Sequence, residues 1–210
     1  MPEILSIIMR REPDYNKPED SDKNLVKGFL KGDRSDFDRL VLRYKDKVFN
    51  LCVRYLGNLQ EAEDISQDIF VKVYGSLRNF RFKSSFSTWL YRIAVNTCKN
   101  RVKSTDFRRM KDRVYIAEDT EKAPEDSLAI KPDSGPADPL TELERKERSN
   151  TIMMAVDSLP LKQKTLIILR DIEGLSYEDI IEITGIKAGT LKSRISRARL
   201  ELRKKLEGNV

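Results

Sequence analysis

The stretch that decides the fold of the C-terminal half is SYEDIIEITGIKAGTLKSRISRARLELRKKLE, residues 176–207. Ser176 and Asp179 are suited to cap a short helix that ends near Thr184, and Gly185 provides a tight break. A longer basic helix then runs from about residue 188 to residue 206. Two helices joined by such a turn are the pattern of a helix-turn-helix, so the sequence predicts binding to the major groove of duplex DNA.

The longer helix separates apolar from polar residues. The predicted buried face consists of Leu191, Ile195, Ala198, Leu202 and Leu206. The predicted outward face consists of Lys192, Ser193, Ser196, Arg197 and Arg203, whose side chains can reach bases or phosphates. At the start of the helix, Gly189 and Thr190 are expected to offer free backbone N–H groups to a phosphate. The alternative is a solvated basic helix in an ordinary bundle.

Helical periodicity extends over most of the chain. In the N-terminal half one stripe comprises Phe37, Leu40, Val41, Tyr44, Val48, Leu51 and Tyr55, and the next comprises Ala62, Ile65, Ile69, Val73 and Leu77. A third comprises Phe86, Leu90, Ile93, Ala94 and Val102. Asp33, Gly57 and Asn58 are suited to cap these helices. In the C-terminal half, Ile152, Ala155, Val156 and Leu159 form a stripe, and a helix is expected from Pro160 to Glu173. No segment alternates as a strand does, so we expect an all-α protein.

A second functional signal is FRFKSSFSTWLYR, residues 80–92, in which five aromatic side chains are interleaved with Arg81, Lys83 and Arg92. Single-stranded DNA is bound by such stacking platforms and cations, and Asn96, one turn later, could read an unstacked base. The alternative is that Phe86, Trp89 and Leu90 belong to the core, whereas Phe80, Phe82 and Lys83 are expected to be free in a loop.

A third signal is EAEDISQDIF, residues 61–70. Its carboxylates could bind a metal or act as an acid/base pair, but Glu61, Asp64 and Asp68 lie on one helix with no distant partner evident in the sequence. A solvated acidic face near a helix N-terminus is the simplest interpretation. A surface that docks on another protein is the more specific one.

Composition excludes several classes of protein. The 210 residues contain no histidine and only two cysteines, so a catalytic triad with histidine and a His–Cys zinc site are both impossible. The two cysteines, Cys52 and Cys98, fall in apolar helical patterns and indicate a reduced, cytoplasmic protein. No apolar run is long enough to cross a membrane, so we expect no membrane insertion.

The net charge of +6 is distributed unevenly. Residues 78–113 hold 11 Lys/Arg against 2 Asp/Glu, and residues 187–207 hold 8 against 2. Between them, residues 117–143 hold 2 against 8 and are rich in proline, which is typical of an extended linker. We therefore expect an N-terminal tail (1–21), a helical domain (22–113), a flexible acidic linker (114–140) and a second helical domain (141–207).

In this order, the three signals resemble the sigma-70 family, specifically its extracytoplasmic-function branch of RNA polymerase sigma factors. The resemblance covers about residues 22–103 and 145–207. The matching segments are Asp64–Phe70 (region 2, polymerase binding), Phe86–Asn96 (melting and −10 reading), Leu159–Pro160 with Glu173–Ile180 (region 4), and Gly189–Arg194 (recognition helix).

The resemblance implies a role for each segment. Core RNA polymerase would be bound by Asp64, Gln67, Asp68 and Phe70. Single-stranded −10 DNA would be bound by Phe80, Arg81, Phe82, Lys83, Ser84, Ser87, Trp89, Arg92 and Asn96. Duplex −35 DNA would be bound by Thr190, Lys192, Ser193, Ser196 and Arg197. An anti-sigma factor is an expected partner, in a stress or envelope response, and the linker would lie near the RNA exit channel.

The same resemblance implies no catalytic residue, no metal and no cofactor, because the polymerase supplies the chemistry. Two alternatives stay open on the residues themselves. One is a regulator that binds duplex DNA without polymerase, which would leave the aromatic loop and the Asp64–Phe70 face without a purpose. The other is a carboxylate-based nuclease in which Asp64 and Asp68 hold a metal.

Overall fold

The computed structural model describes residues 21–104 and 151–207. In the first range, the helices are α1 (Asp22–Leu30), α2 (Arg34–Leu56), α3 (Leu59–Ser76) and α4 (Phe86–Lys103), with a 3-10 turn at Leu77–Asn79 after α3. In the second range, residues 151–157 are helical. They are followed by α5 (Leu161–Ile167), a π-helical turn (Ile168–Ile172), α6 (Tyr177–Thr184) and α7 (Ala188–Glu207). No strand occurs in either range, which confirms the all-α prediction.

Local capping signals determine both ends of α2 and the start of α3. The Asp33 carboxylate accepts a hydrogen bond from the Ser35 N–H at 2.9 Å, and the Asn58 side chain accepts one from the Glu61 N–H at 2.9 Å. Gly57 ends α2 in the left-handed conformation, with φ at 68°. These caps satisfy backbone groups that a helix end would leave without partners. The predicted boundaries of α2 and the start of α3 are therefore confirmed.

The predicted apolar stripes of α2 and α3 form much of the core of the N-terminal helices, which are called the first helical unit below. Each residue of the α2 stripe and of the stripe from α3 to the 3-10 turn is at most 8% exposed. Phe29, Phe37 and Tyr74 add an aromatic cluster with ring centroids 5.0–5.5 Å apart. In the α4 stripe, Ile93 and Val102 are half-buried rather than buried, because they lie at the edge of the packed face.

The two cysteines meet inside this unit. Cys52 of α2 and Cys98 of α4 are both fully buried, and their Sγ atoms are 3.7 Å apart. Their hydrogen bond, together with burial, raises the pKa of the Cys52 thiol well above its ordinary value. The pair therefore behaves as packed, protonated thiols.

In the second range the structure corrects two predictions. Ile152 was expected in the core stripe but is 41% exposed, whereas Ala155, Val156 and Leu159 are buried. The helix expected from Pro160 to Glu173 changes at Ile168 to a π-helical turn before Gly174 ends it at a φ of 68°. The wider turn accompanies a nearly complete burial of Leu166–Leu169, and no local sequence signal marks it.

Of the described residues, 21–100 with 178–186 belong to one compact unit, and 101–104 with 151–177 and 187–207 belong to the other. The expected N-terminal tail, the acidic linker and the start of the second domain at residue 141 lie outside the described residues. Within the ranges that the structure covers, no helix is both long and apolar enough to cross a membrane.

Candidate nucleic-acid interface

The acidic face of α3 carries the residues expected to bind polymerase. Asp64 and Asp68 are exposed and Gln67 is half-buried, so these three side chains lie along one side of the helix. Phe70 was expected on the same surface, but its ring is only 2% exposed. This expectation is corrected: Phe70 lies on the opposite face, because the stripe of Ile65, Ile69 and Val73 turns that side of α3 into the core.

The aromatic loop, residues 80–85, is anchored by an aromatic cluster. The ring centroid of Phe80 lies 4.9 Å from that of Phe82, 5.1 Å from that of Trp89 and 6.4 Å from that of Phe86. Phe80 is 7% exposed, so the expectation that it is free in the loop is wrong. Aromatic pairs at these distances stabilise a structure beyond simple burial, and the cluster holds the loop against the start of α4.

Phe82 lies at the tip of the aromatic loop. Its ring is 37% exposed, and its backbone φ is 55°, in the left-handed region that non-glycine residues seldom adopt. The side chain therefore projects from the loop on a strained backbone. An exposed ring beside cations is the combination that stacks on a nucleic acid base.

The cations and hydroxyls around the tip form a polar surface. Arg81, Lys83 and Arg92 are exposed, and Ser84 is half-buried. Together with Asn79, Phe80 and Trp89, these four side chains line one cleft. Glu182 lines the same cleft, so three cations face one carboxylate there and the net charge of the lining is positive.

Ser85 fixes the start of α4. Its Oγ accepts a hydrogen bond from the Thr88 N–H at 3.0 Å and lies 2.8 Å from the Ser87 Oγ and 2.6 Å from the Thr88 Oγ1. This is the N-cap arrangement, three residues before the N–H it satisfies. This cap was not among the predicted ones, although a serine directly before an apolar helical run is its usual signal. One turn beyond Arg92, Asn96 is exposed on the same side of α4.

The predicted −35 residues all lie on the outward side of α7. Thr190, Lys192, Ser193, Ser196 and Arg197 are exposed, whereas Leu191, Ile195 and Ala198 are buried. Leu202 and Leu206, expected in the buried face, are half-buried. Arg194, absent from the predicted set, is also exposed and adds a further cation. Its charge and its place in the recognition segment were the available signals.

One detail of the α7 N-terminus is corrected. The Thr190 N–H was expected to be free for a phosphate, but it donates to the Lys187 carbonyl at 2.9 Å. The Thr190 hydroxyl donates to the same carbonyl, also at 2.9 Å. The chain thus closes a tight turn before α7, and the backbone amide of Thr190 is already satisfied.

Ion pairs fix α7 within its own unit. The Arg199 guanidinium of α7 binds the Asp171 carboxylate of the π-helical turn at 2.5 Å. This partner raises the pKa of Arg199. The Lys164 ammonium, almost fully buried, is 2.6 Å from Asp157. The Arg199–Asp171 pair therefore links α7 to the π-helical turn, whereas the Lys164–Asp157 pair links α5 to the helical segment 151–157.

The carboxylates do not gather into a metal site in the described ranges. Asp64 and Asp68 stand four residues apart on α3, and no group of three or more metal-ligating side chains lies together in residues 21–104 or 151–207.

Two protein families match this chain, one in each half. The Sigma-70 region 2 family matches residues 40–108, and the Sigma-70, region 4 family matches residues 149–202. The RNA polymerase sigma-H factor of Pseudomonas aeruginosa is 41% identical over 189 residues, covering 90% of this chain and 95% of its own length. The ECF RNA polymerase sigma factor SigW of Bacillus subtilis is 40% identical over 189 residues, covering 88% and 96%.

A solved structure agrees with these relatives. The sigma factor RpoE of Bartonella quintana, crystallised with the anti-sigma factor NepR, shares 27% identity and a TM-score of 0.54. The similarity covers 82% of this chain and 97% of that one. The first matched region contains most of α2 and all of α3, the aromatic loop and α4, and the second contains α5, α6 and most of α7.

The chain therefore belongs to the sigma-70 family of RNA polymerase sigma factors, in its extracytoplasmic-function branch. Proteins of this class are transcription initiation factors. The chain binds core polymerase and directs promoter recognition and DNA opening through regions 2 and 4.

Proposed function

We propose that the first helical unit and α7 divide promoter recognition between them. The aromatic loop and Asn96 hold the melted −10 strand, and the outward face of α7 reads the −35 duplex. The observation that carries this proposal is the exposed ring of Phe82 among the cations Arg81 and Lys83, a surface suited to unpaired bases rather than to a duplex.

In the −10 site, each class of side chain has a different role. Arg81, Lys83 and Arg92 bind phosphates, Phe82 and the half-buried Trp89 stack on bases, and Asn96 reads the edge of an extruded base. Ser84 and Ser87 donate to sugar or phosphate. Phe80 acts from the core, because its buried ring positions Phe82 and Trp89.

In the −35 site, the α7 face has the chemistry of major-groove readout. Arg197 and Lys192 can bind guanine bidentately or a phosphate, and Ser193 and Ser196 can bind either kind of group. The Thr190 hydroxyl, already bonded to the Lys187 carbonyl, can still accept from a water or a base amine.

Core polymerase docks on the exposed acidic face of α3. Asp64, Gln67 and Asp68 supply charge and hydrogen bonds, and Phe70 keeps α3 in place from the core side. A face of this charge selects a basic partner surface, and complementary charge raises the rate of association.

Four further proposals rest on the family rather than on particular contacts. The chain has no catalytic activity of its own, since the polymerase supplies the chemistry. It works in the cytoplasm, where an anti-sigma factor restrains it in a stress or envelope response. The acidic linker, outside the described residues, lies near the RNA exit channel.

The test of the −10 assignment is Asn96→Ala, with Asn100→Ala as the matched control. Asn100 is the same residue type, also exposed and also on α4. We expect Asn96→Ala to bind core polymerase normally and to lose permanganate reactivity of the −10 thymines, while Asn100→Ala retains both. Equal footprints for wild type and Asn96→Ala would refute base capture by Asn96. A wild-type chain that does not bind core polymerase would refute the proposal as a whole.

A further inference from the structure

A second cleft lies in the first helical unit, away from the loop tip. Its volume is about 280 Å³, and it opens where α1 ends, α2 begins and α3 ends. We call it the arginine cleft. Its lining residues are Phe29, Gly32, Arg34, Tyr74, Gly75 and Arg78. None of them belongs to the polymerase, −10 or −35 sets described above.

The arginine cleft is cationic and lacks a counter-charge. Arg34 and Arg78 are exposed, and neither guanidinium has an ion pair or hydrogen bond with any residue that the structure describes. No carboxylate lines the cleft. Two like charges on one cavity repel each other, so an anion between them removes a repulsion as well as adding an attraction. Arginine also presents a planar fork of donors that fits phosphate oxygens.

Gly75 also lines the arginine cleft. It is the penultimate residue of α3, which ends at Ser76. Its φ is not in the left-handed region, and a Cβ at this position would meet no atom within 4 Å. Neither backbone conformation nor packing therefore requires glycine here. The side of the cleft formed by Gly75 is therefore open space next to the two arginines.

The chain also connects the arginine cleft to the −10 site. Arg78 and Asn79 are neighbours in the 3-10 turn that leads into the aromatic loop, and Asn79 lines the loop cleft while Arg78 lines the arginine cleft. Consecutive Cα atoms are only about 3.8 Å apart. A strand held by the loop therefore passes within a few nucleotides of Arg78.

We propose that the arginine cleft binds a backbone phosphate of the single-stranded promoter DNA that flanks the −10 bases. Arg34 and Arg78 grip the phosphate oxygens, and the Tyr74 hydroxyl, which has no hydrogen bond to any described residue, donates to the same group. This inference rests on the proposed −10 role of the loop and extends the DNA path beyond it.

The test uses the full chain bound to core polymerase and a pre-opened promoter probe. In a series of probes, one phosphate at a time on either side of the −10 bases is replaced by an uncharged methylphosphonate. Binding is measured for wild type, Arg34→Ala, Arg78→Ala and Gly75→Glu, whose carboxylate would occupy the cleft. The control is Lys23→Ala, an exposed cation of α1 outside the cleft.

We expect one methylphosphonate position to weaken wild-type binding by roughly tenfold, the scale of a lost hydrogen bond to a charged group. The same position has no effect on the three cleft variants, because they no longer contact that phosphate. Each arginine removed also lowers the salt dependence of binding by about 0.7 in log–log slope. The Lys23→Ala control retains the wild-type sensitivity.

Three outcomes would overturn the inference. One is that every variant shows the wild-type phosphate profile. Another is that Lys23→Ala loses as much as the cleft variants, which would indicate a diffuse charge effect. The third is that a mononucleotide or an acidic peptide occupies the cleft without competing with the probe. In each case wild-type DNA opening remains intact, so a failure here is distinct from a failure of the proposed function.

Discussion

Phe82 provides a test of whether the backbone of the aromatic loop is strained and whether its exposed ring binds DNA. Among residues 21–104 and 151–207 it is the one non-glycine residue with a positive φ, at 55°, and its half-exposed ring lies 4.9 Å from Phe80. Two substitutions separate the backbone from the ring. Phe82→Ala removes the ring and keeps a Cβ in the left-handed conformation, whereas Phe82→Gly removes both the ring and the conformational cost.

The difference in the free energy of unfolding between the two variants follows from two opposing contributions. A left-handed conformation costs a non-glycine residue about 1–2 kcal/mol, which glycine avoids. Against this, the greater freedom of glycine in the unfolded chain costs about 0.5–1 kcal/mol relative to alanine. We therefore expect Phe82→Gly to be more stable than Phe82→Ala by about 0.75 kcal/mol, the difference between the midpoints of these two ranges. This reverses the order found at an ordinary position. Both variants lose a ring contact worth about 0.5–1.5 kcal/mol.

Urea unfolding of the two variants provides the measurement. Trp89 is the single tryptophan of the chain and lies 5.1 Å from Phe80, so its fluorescence reports on this cluster. We also expect both variants to open promoter DNA poorly while binding core polymerase normally. If Phe82→Ala were as stable as Phe82→Gly or more stable, the backbone at Phe82 would not be strained. Normal opening by Phe82→Gly would show that the ring has no part in holding DNA.

The remaining predictions concern three other regions. Arg197→Ala should weaken −35 binding by about 1–3 kcal/mol if the side chain contacts a base, as measured against promoter and random duplexes, and an equal loss on both would indicate a phosphate contact instead. Hydrogen bonds from Ser35 lower the pKa of Asp33 below its ordinary value of 3.8. The stabilisation from this cap is therefore present above about pH 3.8 and lost as the pH falls through the lowered folded-state pKa. In unfolding curves between pH 5 and 3, Asp33→Asn should lack that component; a wild-type pH dependence in this variant would contradict the assignment. Cys52 and Cys98 should stay unreactive to a thiol reagent at pH 7 until the protein is denatured, and rapid labelling of the native chain would argue against their burial.

Features governed by local chemistry were predictable from the sequence. Asp33 and Gly57 identify the ends of α2 because a cap is satisfied within a few residues. Helical spacing alone also identified the buried faces of α2 and α3. The π-helical turn at Ile168–Ile172 was not predictable, since it reflects how a buried apolar run meets its neighbours rather than any residue in it.

The candidate site was predicted only in part, because some of its residues are placed by local helix geometry and others by tertiary packing. Residues of α7 project outward as the periodicity required, because a single helix determines both of its faces. Phe70 and Phe80 were misjudged because their burial depends on residues elsewhere in the bundle, and for Phe80 on how a loop folds back. The strained φ of Phe82 likewise depends on tertiary packing.

Transcription from a genomic fragment library, with start sites mapped, shows whether the two DNA-binding surfaces act together on promoters. The library is transcribed by core polymerase alone and by core polymerase with the purified chain. We predict new start sites that share one pair of −10 and −35 elements, and their loss when the chain carries Asn96→Ala together with Arg197→Ala. Start sites identical to those of core polymerase alone would contradict the assignment of the two DNA-binding surfaces.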